Sequence, residues 1–312
     1  MNAESAVPCL SYRKNKTDYA NREVLQLRNK LRQAMKYALP MAALVFLLAA
    51  VTMGYLFQRA ENTVPVLNYH QVNNSRVVNS LTVTNRDFAK QMQYLADNGY
   101  HTVTVDELIL AWEQGAELPD KPVVITFDDG YVDNYEWAYP ILKHYNFKAT
   151  IFLVSDFMDR FDNYLTWDNV KTMHESGLID FESHTLSHEE LTKLKPEEIR
   201  HQLTGSRKAL EWRLKKPVHC LAYPCGSYNE EVLRLMNETG YKAAFTVNYG
   251  LAGSNEPRLA LNRIPVFGGM AHGMLRFKLR LAFAPVIAPL SDLKADLQKG
   301  GMPWLAELIY LP

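Results

Sequence analysis

Cysteine is scarce, with three in 312 residues, too few for a disulfide scaffold. No charge of one sign prevails: 34 Lys and Arg balance 34 Asp and Glu. That balance excludes a strongly basic nucleic-acid binder, so no nucleic-acid partner is expected. Glycine and proline, 15 of each, are too few for a collagen-like or low-complexity chain. There is no internal repeat, and no HExxH to suggest a zinc peptidase. What is present is enough apolar sequence to build a core, 47% against 22% charged, over a length that fits one large domain or two ordinary ones.

The even balance conceals an uneven distribution. Residues 1–36 hold eight Lys and Arg against three acids, a net of +5, which leaves 26 basic against 31 acidic in the remainder. From Tyr37 to Gln58 there follow 22 residues without a charge. At about 1.5 Å each they cover about 33 Å, enough to cross a hydrocarbon core. Tyr37 and Tyr55 fall where amphipathic rings favour the interface, and Pro40 would lie in the first turn. No small-x-small cleavage site follows the run. We therefore expect a cytoplasmic basic tail (1–36), a transmembrane signal anchor (37–58), a linker (59–66), a folded domain outside the cytoplasm (67–270) and a C-terminal amphipathic segment (271–312). Cys9 would lie inside. Cys220 and Cys225 would lie outside and unbridged, because five residues of strand span about 16 Å and a disulfide needs Cα atoms within about 7 Å.

Within the folded domain, strand and helix patterns alternate. Strands are expected at 64–70, 121–130, 148–155, 217–226 and 242–248, with a short strand running into a helix over 101–108 and a strand that breaks into a polar loop over 178–188. Helices are expected at 85–100, 137–146, 169–177, 196–215 and 230–240. Alternation at these intervals argues for a parallel α/β sheet, and so many units in about 200 residues argue for a (β/α) barrel. Reactive groups in such barrels collect at the C-terminal ends of strands. The polar oddities fall there: His70, Asp128 with Asp129, His184 with His188, and Tyr223 to Gly226.

Two adjacent acids closing a buried strand are costly unless paired or bound to a cation. Asp-Asp-Gly is also an ordinary turn sequence. His184 and His188 shift that balance. The HxxxH spacing on a helical turn sets both imidazoles on one face, in a loop of small polar residues after a strand. One carboxylate and two neutral imidazoles with open positions form a usual catalytic metal set, which suits Zn²⁺ best and admits other divalent transition metals.

TFDDGY (126–131), SHTLSH (183–188) and AYPCGSY (222–228) resemble the first three motifs of the NodB-type polysaccharide deacetylases, carbohydrate esterase family four. The likeness runs over residues 64–268 through LNYHQV, FAKQMQYLADNGYHTV and YPILKHYNFKATIFLV. With YH ahead of the Asp pair, it is similar to the permuted branch that deacetylates poly-β-1,6-N-acetylglucosamine in biofilm formation. The resemblance implies a distorted (β/α) barrel of about seven strands. It implies Asp129, His184 and His188 as metal ligands, Asp128 as general base and His70 as general acid. Tyr223, Pro224, Cys225, Gly226, Tyr131 and Arg263 would be substrate contacts, with the Cys225 backbone amide facing the oxyanion. It further implies an N-acetylated polysaccharide as partner and polysaccharide synthesis or export machinery as company. Peptidoglycan and chitin-like glycans are the other substrates in view, and a non-catalytic glycan-binding subunit is the rival class.

The sequence departs from that pattern in two places. Leu221-Ala222 stands where many members carry an arginine before the Tyr-Pro pair, and Cys225 stands where an aromatic is common. No Asp-rich fourth motif is evident, and Arg263 is the candidate for a charge near the site. Residues 273–312 mix basic and bulky apolar side chains broken by prolines. They are expected either on the membrane surface or against the barrel bottom.

Overall fold

The computed structural model describes residues 9–60, 62–75, 79–269, 273–307 and 309. The first eight residues of the expected basic tail, and parts of the expected C-terminal segment, lie outside these. The chain divides into two units, 1–58 and 59–312.

The described residues of the first unit all lie in one helix, α1 (Cys9–Arg59). Within Leu25–Gln58 an 18-residue window has a mean hydropathy of 2.1, and the helix is long and apolar enough to cross a membrane. The expected start at Tyr37 is not where the helix begins. It runs on from Cys9, so Pro40 lies in its interior and removes one intrahelical hydrogen bond rather than sitting harmlessly in a first turn.

The main sheet of the second unit has eight parallel strands. These are β1 (Val66–Tyr69), β2 (His101–Val103), β3 (Pro122–Phe127), β4 (Ala149–Leu153), β5 (Ile179–Ser183), β6 (Cys220–Ala222), β7 (Ala243–Tyr249) and β8 (Leu261–Pro265). Seven of them close a barrel in the order β1-β3-β4-β5-β6-β7-β8 and back to β1. Closure rests on Ile264 opposite Leu67 and Pro265 opposite Asn68. β2 pairs with residues 122–124 of β3, while the last two residues of β3 pair with β4. The strands are buried on both faces, which is why they read as continuous apolar runs rather than alternating ones. Val66, Val124, Phe152, Ala222 and Phe245 belong to one apolar cluster. Their neighbours Leu67, Ile125, Ile151, Leu221 and Ala244 belong to a second, which also takes in helix residues such as Phe88, Val170, Leu203 and Leu235, whereas Val105, Leu108 and Ile109 join the first. Successive residues thus divide between the barrel interior and its jacket, as a period of two requires.

The jacket helices are α2 (Asn85–Asp97), α3 (Val105–Gln114), α4 (Tyr139–Tyr145), α5 (Trp167–Glu175), α6 (Pro196–Leu214) and α7 (Glu230–Glu238). Five of the six start on a local signal. The side chains of Thr84, Thr104, Thr166 and Asn229 accept the amides of Asp87, Glu107, Asn169 and Val232, satisfying donors that have no partner within the helix. α6 opens with Pro196 and two glutamates, which suits the positive end of the helix dipole. α2 buries Phe88, Gln91, Met92 and Leu95, one stripe at helical spacing.

Beyond β8 the chain forms α8 (Gly273–Ala282), α9 (Ala284–Lys299) and α10 (Pro303–Ala306). Phe277 of α8 meets the ring of Tyr94 on α2 edge-on, and Tyr249 donates to the carbonyl of Arg280. These contacts set α8 in the helical jacket beside α2. Cys220 and Cys225 are both free.

Candidate active site

Four strand ends supply the site. β3 runs straight into Asp128 and Asp129. The turn that follows has Asp129 at φ 74° and Gly130 at φ 78°, the left-handed region that aspartate tolerates and glycine favours. A Cβ on Gly130 would meet Leu153 at 2.6 Å, so the turn packs tightly on β4. Its far side is tied to the loop after β4: Leu165 donates to the Gly130 carbonyl, Val132 to that of Asn163, and the rings of Tyr131 and Tyr164 stack at 5.0 Å.

β5 ends in His184, and the chain turns back to bring His188 beside it. This is not a helical turn. Residues 184–188 are a loop with Thr185 at φ 69° and His188 at φ 59°. The loop is held by the amide of His188 on the Thr185 hydroxyl and by the amides of Leu186 and Ser187 on Oε1 of Gln202, a buried residue of α6. Nothing in the spacing of α6 marks Gln202 as more than a helix residue, so no sequence signal announces this clamp.

Asp129 Oδ1 lies 3.4 Å from His184 Nε2 and 3.3 Å from His188 Nε2. The three ligand atoms lie within 4.8 Å of one another. Donors about 2.0–2.2 Å from a tetrahedral ion stand about 3.3–3.6 Å apart, so this spacing fits a shared cation. The Nδ1 atom of His184 bonds the carbonyl of Ala222 at 2.7 Å, which fixes the ring and leaves Nε2 to face Asp129.

Asp128 faces a different partner. Both terminal nitrogens of Arg263 reach its two oxygens at 2.7 Å, and Asn68 on β1 donates to Oδ2 at 2.9 Å. Arg263 is fully buried, and its Nε bonds the carbonyl of Thr246. Burial works against ionising Asp128, but the guanidinium outweighs it and holds the carboxyl well below the usual range. Burial lowers the pKa of His70, against the opposing pull of Asp128 and Asp129.

His70, Asp128, Asp129, Tyr131, His184, His188, Tyr223 and Cys225 line one cleft of about 320 Å³. Its remaining wall is Leu81, Phe157, Tyr164 and Val247, apolar residues that no motif singled out. Tyr223 stacks on Tyr228, and its hydroxyl donates to the carbonyl of Leu259. Cys225 is exposed and has φ 56°. Three expected substrate contacts do not reach this wall. Pro224 is buried, Gly226 packs on Val247, and Arg263 has no exposed surface because Asp128 and the barrel interior enclose it.

A closed parallel barrel with two carboxylates and three imidazoles at its strand ends defines a barrel hydrolase with a candidate cation centre. Residues 115–244 match the family described as polysaccharide deacetylase. The chain is 39% identical over 207 residues to the putative polysaccharide deacetylase YxkH of Bacillus subtilis, covering 66% of this chain and 72% of that protein. It is 30% identical over 215 residues to the poly-β-1,6-N-acetyl-D-glucosamine N-deacetylase of Staphylococcus epidermidis, covering 60% and 73%. Among solved structures, the Streptococcus pyogenes deacetylase PplD in complex with acetate superposes with a TM-score of 0.64 at 29% identity, covering 69% of this chain and 97% of that one. IcaB from Ammonifex degensii shares the fold, with a TM-score of 0.60 at 23% identity over 72% and 98%. The chain belongs to the polysaccharide deacetylase family, a family of hydrolases.

Proposed function

We propose that this protein is a cation-dependent N-deacetylase of a polymeric N-acetylglucosamine, and that poly-β-1,6-N-acetylglucosamine is its substrate. The substrate rests on the staphylococcal relative's name. The catalytic reading rests on one observation: Asp129, His184 and His188 converge, while the adjacent Asp128 turns to Arg263 instead. Membrane anchoring by α1, with the barrel outside the cytoplasm, is part of the same proposal. It rests on the apolar stretch of α1 and the basic residues before it.

Asp129, His184 and His188 are the residues that would hold the ion, and Zn²⁺ suits them. When bound, the ion supplies Lewis acidity to the acetamide carbonyl and to the attacking water. Asp128, kept ionised by Arg263, takes a proton from that water. The amide N–H of Cys225 faces the oxygen on which charge develops, where one such donor is worth about 3 kcal/mol. His70 protonates the departing amine, without which the C–N bond does not break. Tyr131 and Tyr223 flank the sugar.

The test is acetate release by the full chain in detergent, with Zn²⁺, from poly-β-1,6-N-acetylglucosamine, peptidoglycan and chitin oligomers. Release from the first, lost in Asp128→Asn, and stoichiometric Zn²⁺ lost in Asp129→Ala are the expected results. Glycan binding without acetate release on any substrate would refute the enzyme reading. Preference for another glycan would refute only the choice of substrate.

A further inference from the structure

The segment that delivers Asp128 and Asp129 also grips the strand that delivers His70, through two side chains outside the catalytic set. Nδ2 of Asn134 donates to the backbone carbonyl of His70 at 2.8 Å and to Oδ1 of Asp133 at 3.0 Å. Oδ2 of Asp133 accepts Nδ2 of Asn73 at 2.7 Å, and the amide of Val72 donates to the same carboxylate. Asp133 and Asn134 are buried, the latter 1% exposed. The two acceptors fix the orientation of the Asn134 amide, since only its NH₂ end can serve both. Its Oδ1 atom, turned the other way, has no partner among the described residues. Asn134 also opens a π-turn, Asn134–Ala138, whose wider winding is frequent at functional sites.

We infer that Asn134, oriented by Asp133, is a positioning residue for His70. It sets the imidazole against the scissile nitrogen by fixing the backbone from which the ring projects. The inference rests on the reading of His70 as general acid. In the step concerned, the C–N bond breaks, its electron pair goes to nitrogen, and nitrogen takes the proton that His70 gives up. Acetate and a free amine result. A leaving group that needs no proton removes the demand on His70 and therefore on Asn134.

Two substrates separate the roles, using the full-length protein in detergent with Zn²⁺: an N-acetylglucosamine oligomer, whose amine must be protonated, and 4-nitrophenyl acetate, whose phenolate departs unaided. His70→Ala should lower amide kcat/KM by about 10²–10⁴-fold and the ester rate far less. Asn134→Ala should lower the amide rate by about 10–100-fold, chiefly in kcat, with the ester rate and Zn²⁺ stoichiometry within about threefold. Asn73→Ala, at a half-buried site that tolerates truncation, should give the same selectivity at smaller amplitude. Equal losses on both substrates in Asn134→Ala and Asn73→Ala, or no loss in either, would overturn the inference while leaving His70 intact. Equal losses in His70→Ala would instead overturn the general-acid reading beneath it.

Discussion

Asp128 and Arg263 carry the strongest electrostatic coupling of the site, and their chemistry can be separated residue by residue. The folded-state pKa of Asp128 is depressed below its ordinary 3.8. Its ionisation therefore stabilises the native state at pH above that ordinary value, and the contribution is lost only as pH falls through the depressed folded value. An acid limb of activity near neutral pH would not belong to this group. Arg263→Met leaves the burial and removes the guanidinium, which raises the Asp128 pKa. We expect loss of neutral-pH activity, an acid limb shifted to higher pH, and a stability loss of about 3–5 kcal/mol in denaturant titration, because a buried charge is stranded. Adding Asp128→Asn should recover part of that stability, since it removes the stranded charge. Additive losses in the double-mutant cycle would sink the account. The sequence exposed Asp128 because an acid after an apolar strand is conspicuous. It hid the part Arg263 plays, since the partners lie 135 residues apart and only barrel closure joins them.

At the scale of elements, turns rather than regular segments decide the geometry. The candidate site residues leave their strands through left-handed conformations at Asp129, Thr185, His188 and Cys225. Gly130→Ala tests this directly, because the new methyl meets Leu153 in a conformation unfavourable for alanine. We expect a loss of about 1–3 kcal/mol in thermal or chemical unfolding together with weakened Zn²⁺ binding, because Asp129 is the preceding residue. An unchanged protein would mean the turn is slack. Strand and helix alternation was legible because Val, Ile and Phe runs alternate with capped amphipathic stretches such as 85–97. β8 was not, since LNRIP puts an arginine and an asparagine among three apolar residues and reads as a loop. The geometry of 184–188 was hidden for a related reason: HxxxH suits a helix and a tight loop alike, and the loop is fixed by Gln202 from another element.

For the molecule as a whole, we expect the barrel to hold together without a cation. Arg263 anchors Asp128, Ala222 anchors His184, and two apolar clusters fill both sides of the sheet. Stripping the full-length protein with a chelator should abolish acetate release and lower Tm modestly, with the far-ultraviolet dichroism of an α/β protein retained. Added Zn²⁺ should restore both activity and Tm. Global unfolding on chelation would show that the ion, not the core, maintains the barrel.

The late position of β8 has a temporal consequence. The strand that seals the barrel against β1 is the last of the eight to be synthesised, and it brings the counter-charge for an acid made much earlier. A nascent or clipped chain lacking residues 261–265 would hold its carboxylate without that partner. On the proposed mechanism hydrolysis requires residues 261–265 to be in place, and a chain ending before them should release no acetate.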